Sequence, residues 1–524
     1  MPSTILLPTP DAPKIVHTGA ARARENCDAL LVIVPPEAAP GAFSPLPEKQ
    51  RWQELNARSS PRSGTVRTTT LANQRQTLAV IGYMRAEASN FERLSLAAKM
   101  LKEAAARTPE TLGLAVQGQS KAATASMEAL LTASLAQAFS LPSYRSGKRD
   151  EHRIRGITVL EPNDRASGRD SDLDVRFLEA GAEANNLARW LTVLPPNVLD
   201  AQGYRRAIAD LAGQHGLSFK WLDERALKRL GAGAFLAVSS GNTQRTAGIA
   251  HLQYRPGRRS ARSSNSPRSR AAGAPDVALV GKGILFDTGG INLKPHRSML
   301  DMHMDMAGSA VALSTLVALA RLRAPFAADA WLAITPNEIG PNAFRPQDIV
   351  TASNGVTIQV IHTDAEGRMV LADTLALASR TKPRFMIDFA TLTGACVYAL
   401  TDRMSGVFAN QESLVPTLLA AGRSSGERVW NFPLDPDYDS DLESKIADVV
   451  QCSVDGKGDH ILATRFLSRF VPDTIPWAHM DLSSAWRTGG LGAINTDVTG
   501  FGVRYTLDLL LRQKMLDQLQ KAQP

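Results

Sequence analysis

From about residue 200 onward, short apolar segments alternate with longer stretches of helical periodicity, and this alternation constrains the fold most. The apolar segments are 277–280, 330–335, 385–389 and 477–482; the helical stretches include 310–322 and 369–379. Strands that are apolar on both faces must be covered on both faces. The pattern therefore predicts an α/β fold with a mostly parallel central sheet flanked by helices. Such sheets carry their sites at the carboxyl ends of strands. A smaller α/β domain is predicted over 1–170, from apolar segments at 29–34, 78–83 and 157–160 and helical stretches at 91–106 and 122–139. Residues 171–198 read as a connecting helix and joint, because the run 177–192 meets Pro195-Pro196, which cannot continue a helix. The larger domain is 199–524.

A length of 524 residues exceeds one core, and 44% hydrophobic with 21% charged residues is ordinary for a globular protein. No unbroken apolar run of roughly 18 residues suggests a membrane span. The start, Met1-Pro2-Ser3-Thr4-Ile5-Leu6-Leu7-Pro8, has neither the basic nor the long apolar region of a secretory signal. Cys27, Cys396 and Cys452 are far apart and form no zinc knuckle or disulfide framework, so small buried thiols in a reducing cytoplasm are expected. Net charge is +8, and much of the excess is local. Arg255, Arg258, Arg259, Arg262, Arg268 and Arg270 fall in one acid-free stretch, and 255–275 reads as a disordered basic surface insertion. The rest is near charge balance, which argues against a dedicated nucleic-acid protein.

Three runs carry candidate chemistry. In the first, His362-Thr363-Asp364-Ala365-Glu366-Gly367-Arg368, two carboxylates and a guanidinium alternate between an extended and a helical stretch. Side chains at i and i+2 of extended chain share a face, so the carboxylates of Asp364 and Glu366 can converge. They then repel unless a proton or cation lies between them; helix capping is the competing reading. The second run, 280–295, follows a strand and contains four glycines, with Lys282 and Lys294 bracketing Asp287. A surface turn with solvated charges competes here, while the order of a phosphate-binding P-loop is absent. The third, Met302-His303-Met304-Asp305-Met306-Ala307-Gly308, puts Asp305 at a helix start, where N-capping competes. Four carboxylates in one cleft would need metal. Their hardness suits Zn²⁺, Mn²⁺ or Mg²⁺, and bridging carboxylates favour two ions roughly 3.5–4 Å apart, an arrangement used for hydrolysis.

These runs resemble the leucyl aminopeptidase family, also called cytosol aminopeptidases. The family signature Asn-Thr-Asp-Ala-Glu-Gly-Arg corresponds to 362–368 with His362 for asparagine, and its lysine–aspartate–lysine loop to 280–295. The similarity continues through Asn354-Gly355, 390–395, Trp477-Ala478-His479 and 499–504, covering about 177–510. The resemblance implies a metal-dependent aminopeptidase with two divalent ions, Zn or Mn, that releases apolar, leucine-like or broadly chosen N-terminal residues from peptides. It implies that Lys282, Asp287, Asp305 and Glu366 hold one ion, and that Asp287, Asp364 and Glu366 hold the other. Lys282 would be neutral as a ligand, and a neighbouring dication would supply that pKa shift. Lys294 is implied to stabilise the oxyanion and Arg368 to hold a bicarbonate that acts as general base. Met302, Thr391, Leu392 and Gly394 are implied to line the substrate cleft. A homo-hexamer is also implied. His303, His362 and Gln359 depart from the family pattern; none is an implied ligand, and the two histidines read as packing residues. The alternative function is a DNA-binding protein that keeps the scaffold, holding DNA weakly through the arginine-rich insertion. A structural subunit without catalysis is a further alternative, opposed by the intact set of acids and lysines.

Overall fold

The computed structural model of the chain describes residues 7–8, 12–18, 26–37, 47–57, 61–118, 120–146, 154–160, 173–257 and 273–521. Two sheets organise them. The first comprises β1 (Lys14–Thr18), β2 (Ala29–Val34), β3 (Val66–Thr70), β4 (Leu78–Tyr83), β5 (Thr111–Val116) and β6 (Gly156–Leu160), in the order β1-β6-β5-β2-β4-β3. All pairings are parallel except β3 with β4. β2 and β4 are buried along their whole length, which is why they read as unbroken apolar runs. The edge strands β1 and β3 are short and partly polar, as exposed edges tend to be. The helices Asn90–Ala105 and Lys121–Gln137 match the expected stretches and bury Leu94, Leu96, Met100 and Leu130. Ser89 and Glu92 close a reciprocal capping box on the first of them.

The helix Val175–Val193 starts at an Asp174 cap and ends at Leu194, in extended conformation before the prolines. It packs against the helix Lys121–Gln137 on one side and Ala307–Leu322 on the other, so it serves both halves.

The second sheet has eight strands: β7 (Ser218–Asp223), β8 (Gly248–Tyr254), β9 (Val277–Asp287), β10 (Ala328–Asn337), β13 (Phe385–Ala390), β14 (Ser405–Ala409), β15 (Val429–Asn431) and β17 (Trp477–Asp481). Their order is β15-β14-β17-β13-β9-β10-β8-β7, and the central four, β17-β13-β9-β10, are mutually parallel. A small sheet of β11 (Ile349–Thr351), β12 (Thr357–Gln359) and β16 (Val449–Val450) lies beside it. The expected mostly parallel architecture is therefore the one observed. The stretch His296–Leu322 is apolar and long enough to cross a membrane by composition, but it is largely buried inside the fold. The three cysteines are buried and not joined in disulfides, as expected.

Two expectations need correction. The run 280–295 does not begin at a strand end, because β9 continues to Asp287, with Lys282 paired to Ala333 of β10. Gly281 and Gly283 lie inside β9 and signal close packing, since a Cβ on Gly281 would stand 2.5 Å from Ser309 Cα in the helix Ala307–Leu322, whereas Gly289 and Gly290, both at positive φ, make the turn that follows the strand. Arg255 is not part of a free cationic loop, since it donates to buried Asp329 at 2.6 Å just after β8. Residues 258–272, the rest of the arginine cluster, lie outside the described residues.

Candidate metal centre

The centre lies at the carboxyl end of the parallel core, where β9 and β13 finish and the helix Glu366–Ser379 begins. β9 carries Lys282 inside the sheet and Asp287 at its end. Asp305 follows the single 3₁₀ turn Met302–Met304, two residues before the helix Ala307–Leu322. Asp364 precedes, and Glu366 opens, the helix Glu366–Ser379. The convergence of Asp364 and Glu366 is thus achieved across a turn into a helix, not by two residues sharing one face of extended chain. Gly367 is what lets that helix start sit so close: a Cβ there would stand 2.6 Å from Lys282 Cε.

The charges interlock. Lys282 Nζ lies 2.8 Å from Asp305 Oδ2 and 3.1 Å from Glu366 Oε1. Lys294 Nζ lies 2.9 Å from Asp287 Oδ2 and 2.5 Å from Asp364 Oδ1. Thr391 closes the other side, its hydroxyl donating to Asp305 Oδ1 at 2.6 Å and its carbonyl accepting from Lys282 at 3.0 Å. Asn337, at the end of β10, donates to Asp287 Oδ1 at 2.9 Å and to the carbonyl of Thr363 at 3.1 Å, tying strand to signature turn.

Four carboxylates thus face two ammonium groups, and burial makes the imbalance costly. Burial and the charge of Asp287 push Glu366 up to about 8. Burial, opposed by Lys282 and reinforced by Asp287, pushes Asp305 up to about 6. Burial and Asp287 likewise raise Asp364. Burial pulls both lysines toward neutrality, but the surrounding carboxylates win and hold Lys282 and Lys294 above their ordinary range.

The residues fit a cation. Among the described residues, one carboxylate oxygen from each of Asp287, Asp364 and Glu366 lies within 4.8 Å of the others. Glu366 Oε2 is buried without a hydrogen-bond partner, an acceptor that only a cation or a proton would satisfy. The donor set is carboxylate oxygen with one amine, suited to a hard or borderline divalent ion.

Lys282, Asp287, Lys294, Met302, Asp305, Asp364, Arg368, Thr391, Leu392 and Gly394 all border one cleft of about 1140 Å³, with Glu366 beneath it in contact with Lys282. That exceeds the roughly 300–1,000 Å³ of ordinary small-molecule pockets and leaves room for an extended chain. His362 was expected to pack. It is exposed instead, and its Nδ1 accepts from the Asp364 backbone N–H at 3.2 Å, as a short polar side chain does in a turn. Gln359 bonds to Gln347 and Ser444, away from the acids.

Sequence reasoning missed Asn337, Gln451 and Asp459. Gln451 accepts from the backbones of Ile361 and His362 and donates to the carbonyl of Ala365, bracing the signature turn from just beyond β16. Both carboxylate oxygens of Asp459 accept from Arg368 Nη2 at 2.8 Å. Asn337 meets Asp287, and Gln451 and Asp459 meet Arg368, all partners distant in sequence, so no local pattern points to the three.

The catalytic-domain model of the cytosol aminopeptidase family matches residues 186–507. A probable cytosol aminopeptidase of Syntrophotalea carbinolica is 43% identical over 328 residues, 62% of this chain and 62% of that protein. One from Parasynechococcus marenigrum is 35% identical over 437 residues, 82% of this chain and 85% of that protein. Among solved structures, the bottromycin maturation enzyme BotP in complex with Mn is 30% identical with a TM-score of 0.77, covering 93% of this chain and 99% of that one. The family match takes in β9, β13 and the helix Glu366–Ser379, the elements that assemble the acid–lysine cluster, and on this footing the chain belongs to the cytosol aminopeptidase family.

Proposed function

We propose that this chain is a metal-dependent aminopeptidase. One observation carries the reading: four carboxylates with a charge deficit and an unsatisfied Glu366 oxygen are gathered at strand ends on the floor of a peptide-sized cleft. Asp287, Asp305, Asp364, Glu366 and Lys282 would hold two divalent ions, Zn or Mn. Ions in that position supply Lewis acidity and lower the pKa of a water. Lys282 would give up its extra proton on meeting a dication, since desolvation already favours its neutral form. Lys294, at the cleft side of the cluster, is assigned to donate to the oxyanion that develops on the scissile carbonyl.

Met302, Met304, Leu392 and Val397 give the cleft an apolar side, which supports a leucine-like or other apolar first residue. Thr391 and Gly394 are assigned to the main chain of the substrate, beside Leu392. A homo-hexamer in the cytoplasm is proposed on the family's pattern. The deciding experiment strips the full chain with a chelator, then restores Zn²⁺, Mn²⁺ or Mg²⁺ against a panel of aminoacyl fluorogenic substrates. We expect turnover to return with at least one ion and to be lost on N-acetylated substrates. No turnover with any ion and any residue would sink the proposal.

A further inference from the structure

Arg368 opens the question. It sits in the first turn of the helix Glu366–Ser379, two residues after Glu366, and is 3% exposed. It takes no part in the acid–lysine cluster. Its Nη2 is held by both oxygens of Asp459 at 2.8 Å, its Nη1 donates to the carbonyl of Gln451 at 3.2 Å, and its Nε is buried without a partner. Asp459 is the first residue of the helix Asp459–Ser468, where a negative charge is favoured by the helix dipole. Its side chain stays 25% exposed and borders the same cleft as Asp364 and Ala365.

A bicarbonate held by Arg368 would have to share this guanidinium with a carboxylate already on it. Two anions on one buried cation repel, and the fixed one has no loss of translational freedom to offset. The residues present therefore do not fit a recruited anion. They fit a tethered one. Asp402 and Asp455, which also border the cleft, pair with Arg487 and Lys457, and Asp481 accepts from Leu392, Thr393 and the Thr393 hydroxyl. Asp301, also at the cleft, is exposed; among the described residues of the cleft outside the acid–lysine cluster, Asp459 is the carboxylate seated on a buried cation close to Glu366.

We infer that Asp459 fills the anion seat on Arg368 and is a catalytic residue, the built-in carboxylate that makes bicarbonate unnecessary. The inference rests on the proposed aminopeptidase activity. In the step it serves, water oxygen bonds to the scissile carbonyl carbon while an Asp459 oxygen takes the water proton. The C–N bond then breaks, the proton passes to the leaving nitrogen, and Asp459 returns to carboxylate. Water and peptide give an amino acid and a shortened peptide, with no other reactant.

The test uses metal-reconstituted full chain in CO₂-depleted buffer, with turnover and ¹³C-bicarbonate binding by NMR read in parallel. Wild type should turn over equally with and without added bicarbonate and show no binding. Asp459→Ala should lose on the order of 10²-fold in turnover, recover with added bicarbonate, and bind the label. Adding Arg368→Met to that variant should remove both recovery and binding. Asp459→Asn, which keeps the seat filled by a neutral amide, should lose turnover without recovery. Labelled bicarbonate binding to wild type, or stimulation of it, would overturn the inference. So would full activity of Asp459→Ala in depleted buffer, or failure of its rescue at unchanged melting temperature and metal content. If wild type has no aminopeptidase turnover at all, the functional proposal fails, and the binding comparison still decides who occupies the seat.

Discussion

The six-stranded and eight-stranded sheets obey one construction rule, buried apolar strands under helices, but they differ in what is buried with them. In the first half, Arg93 is a buried charge, and it is spent on the carbonyls of Ala86 and Ala88 near its own helix start. In the second, Lys282, Asp287, Asp305, Glu366, Arg368, Asp388 and Asp481 are all buried at or near the strand ends. The carboxylates diverge in the same way. Burial works against Asp28, but hydrogen bonds from Thr111 and Glu110 and the charge of Arg75 hold it below the usual range. The acids of the cluster are pushed above it. Hydrogen-bonded carboxylates serve the fold, whereas crowded ones cost it stability and persist where chemistry needs them.

The largest effect that could break this contrast is at Glu366. Glu366→Gln should cost on the order of 10³-fold or more in kcat/KM, because metal supplies both nucleophile and Lewis acid. It should not lower the melting temperature of the chelated protein, because it removes a buried charge. Near-normal turnover with full metal content by mass spectrometry would falsify the contrast at its centre. The lysines come next. Lys294→Met should keep metal and lose on the order of 10²-fold in kcat, whereas Lys282→Met should lose metal. Equal metal loss in the two variants would mean that their roles do not divide as proposed.

The strength of the local signal in each strand explains how much of the two sheets is legible in the sequence. β2 and β4 are continuous apolar runs, and β13 and β17 are apolar apart from Asp388, His479 and Asp481, so all four are legible nearly to the residue, while β1 and β3, polar and short, give no periodicity to read. The acids of the cluster were legible because the signature packs them into a few positions. Asn337, Gln451 and Asp459 were not, because each is a lone polar residue whose meaning comes from a neighbour distant in sequence. The end of β9 was misread because glycine marks a turn in most contexts, and only the helix lying on Gly281 explains it here.

A smaller change sharpens the comparison from the other side. Ile33, buried in β2, belongs to the apolar core packed against the first sheet. Ile33→Val should destabilise by about 1 kcal/mol, the cost of one buried methyl group, and leave kcat/KM of the folded enzyme unchanged. Chemical denaturation beside steady-state kinetics measures both. A change in kcat/KM at constant metal content would show the first sheet coupled to the site.

The smallest expected effect concerns Asp28. Its Oδ2 accepts from the backbone of Thr111 and the Thr111 hydroxyl, both at 2.8 Å, and from the Glu110 backbone at 3.1 Å, joining the start of β2 to the start of β5. Its folded pKa is depressed, so the sign is fixed. The stabilisation is present above the unfolded value of about 3.9 and is lost as pH falls through the folded value. Because the group is partly exposed and its Arg75 partner more so, water takes back most of the gain. Asp28→Asn should therefore cost only about 0.5–1 kcal/mol at pH 7. That difference should shrink below about pH 4 as the wild-type carboxylate protonates. Urea unfolding of both proteins across pH 3 to 7 measures it. A difference that stays constant with pH would mean that the side chain acts through its shape, and that the carboxylates of the two halves do not divide by charge as argued.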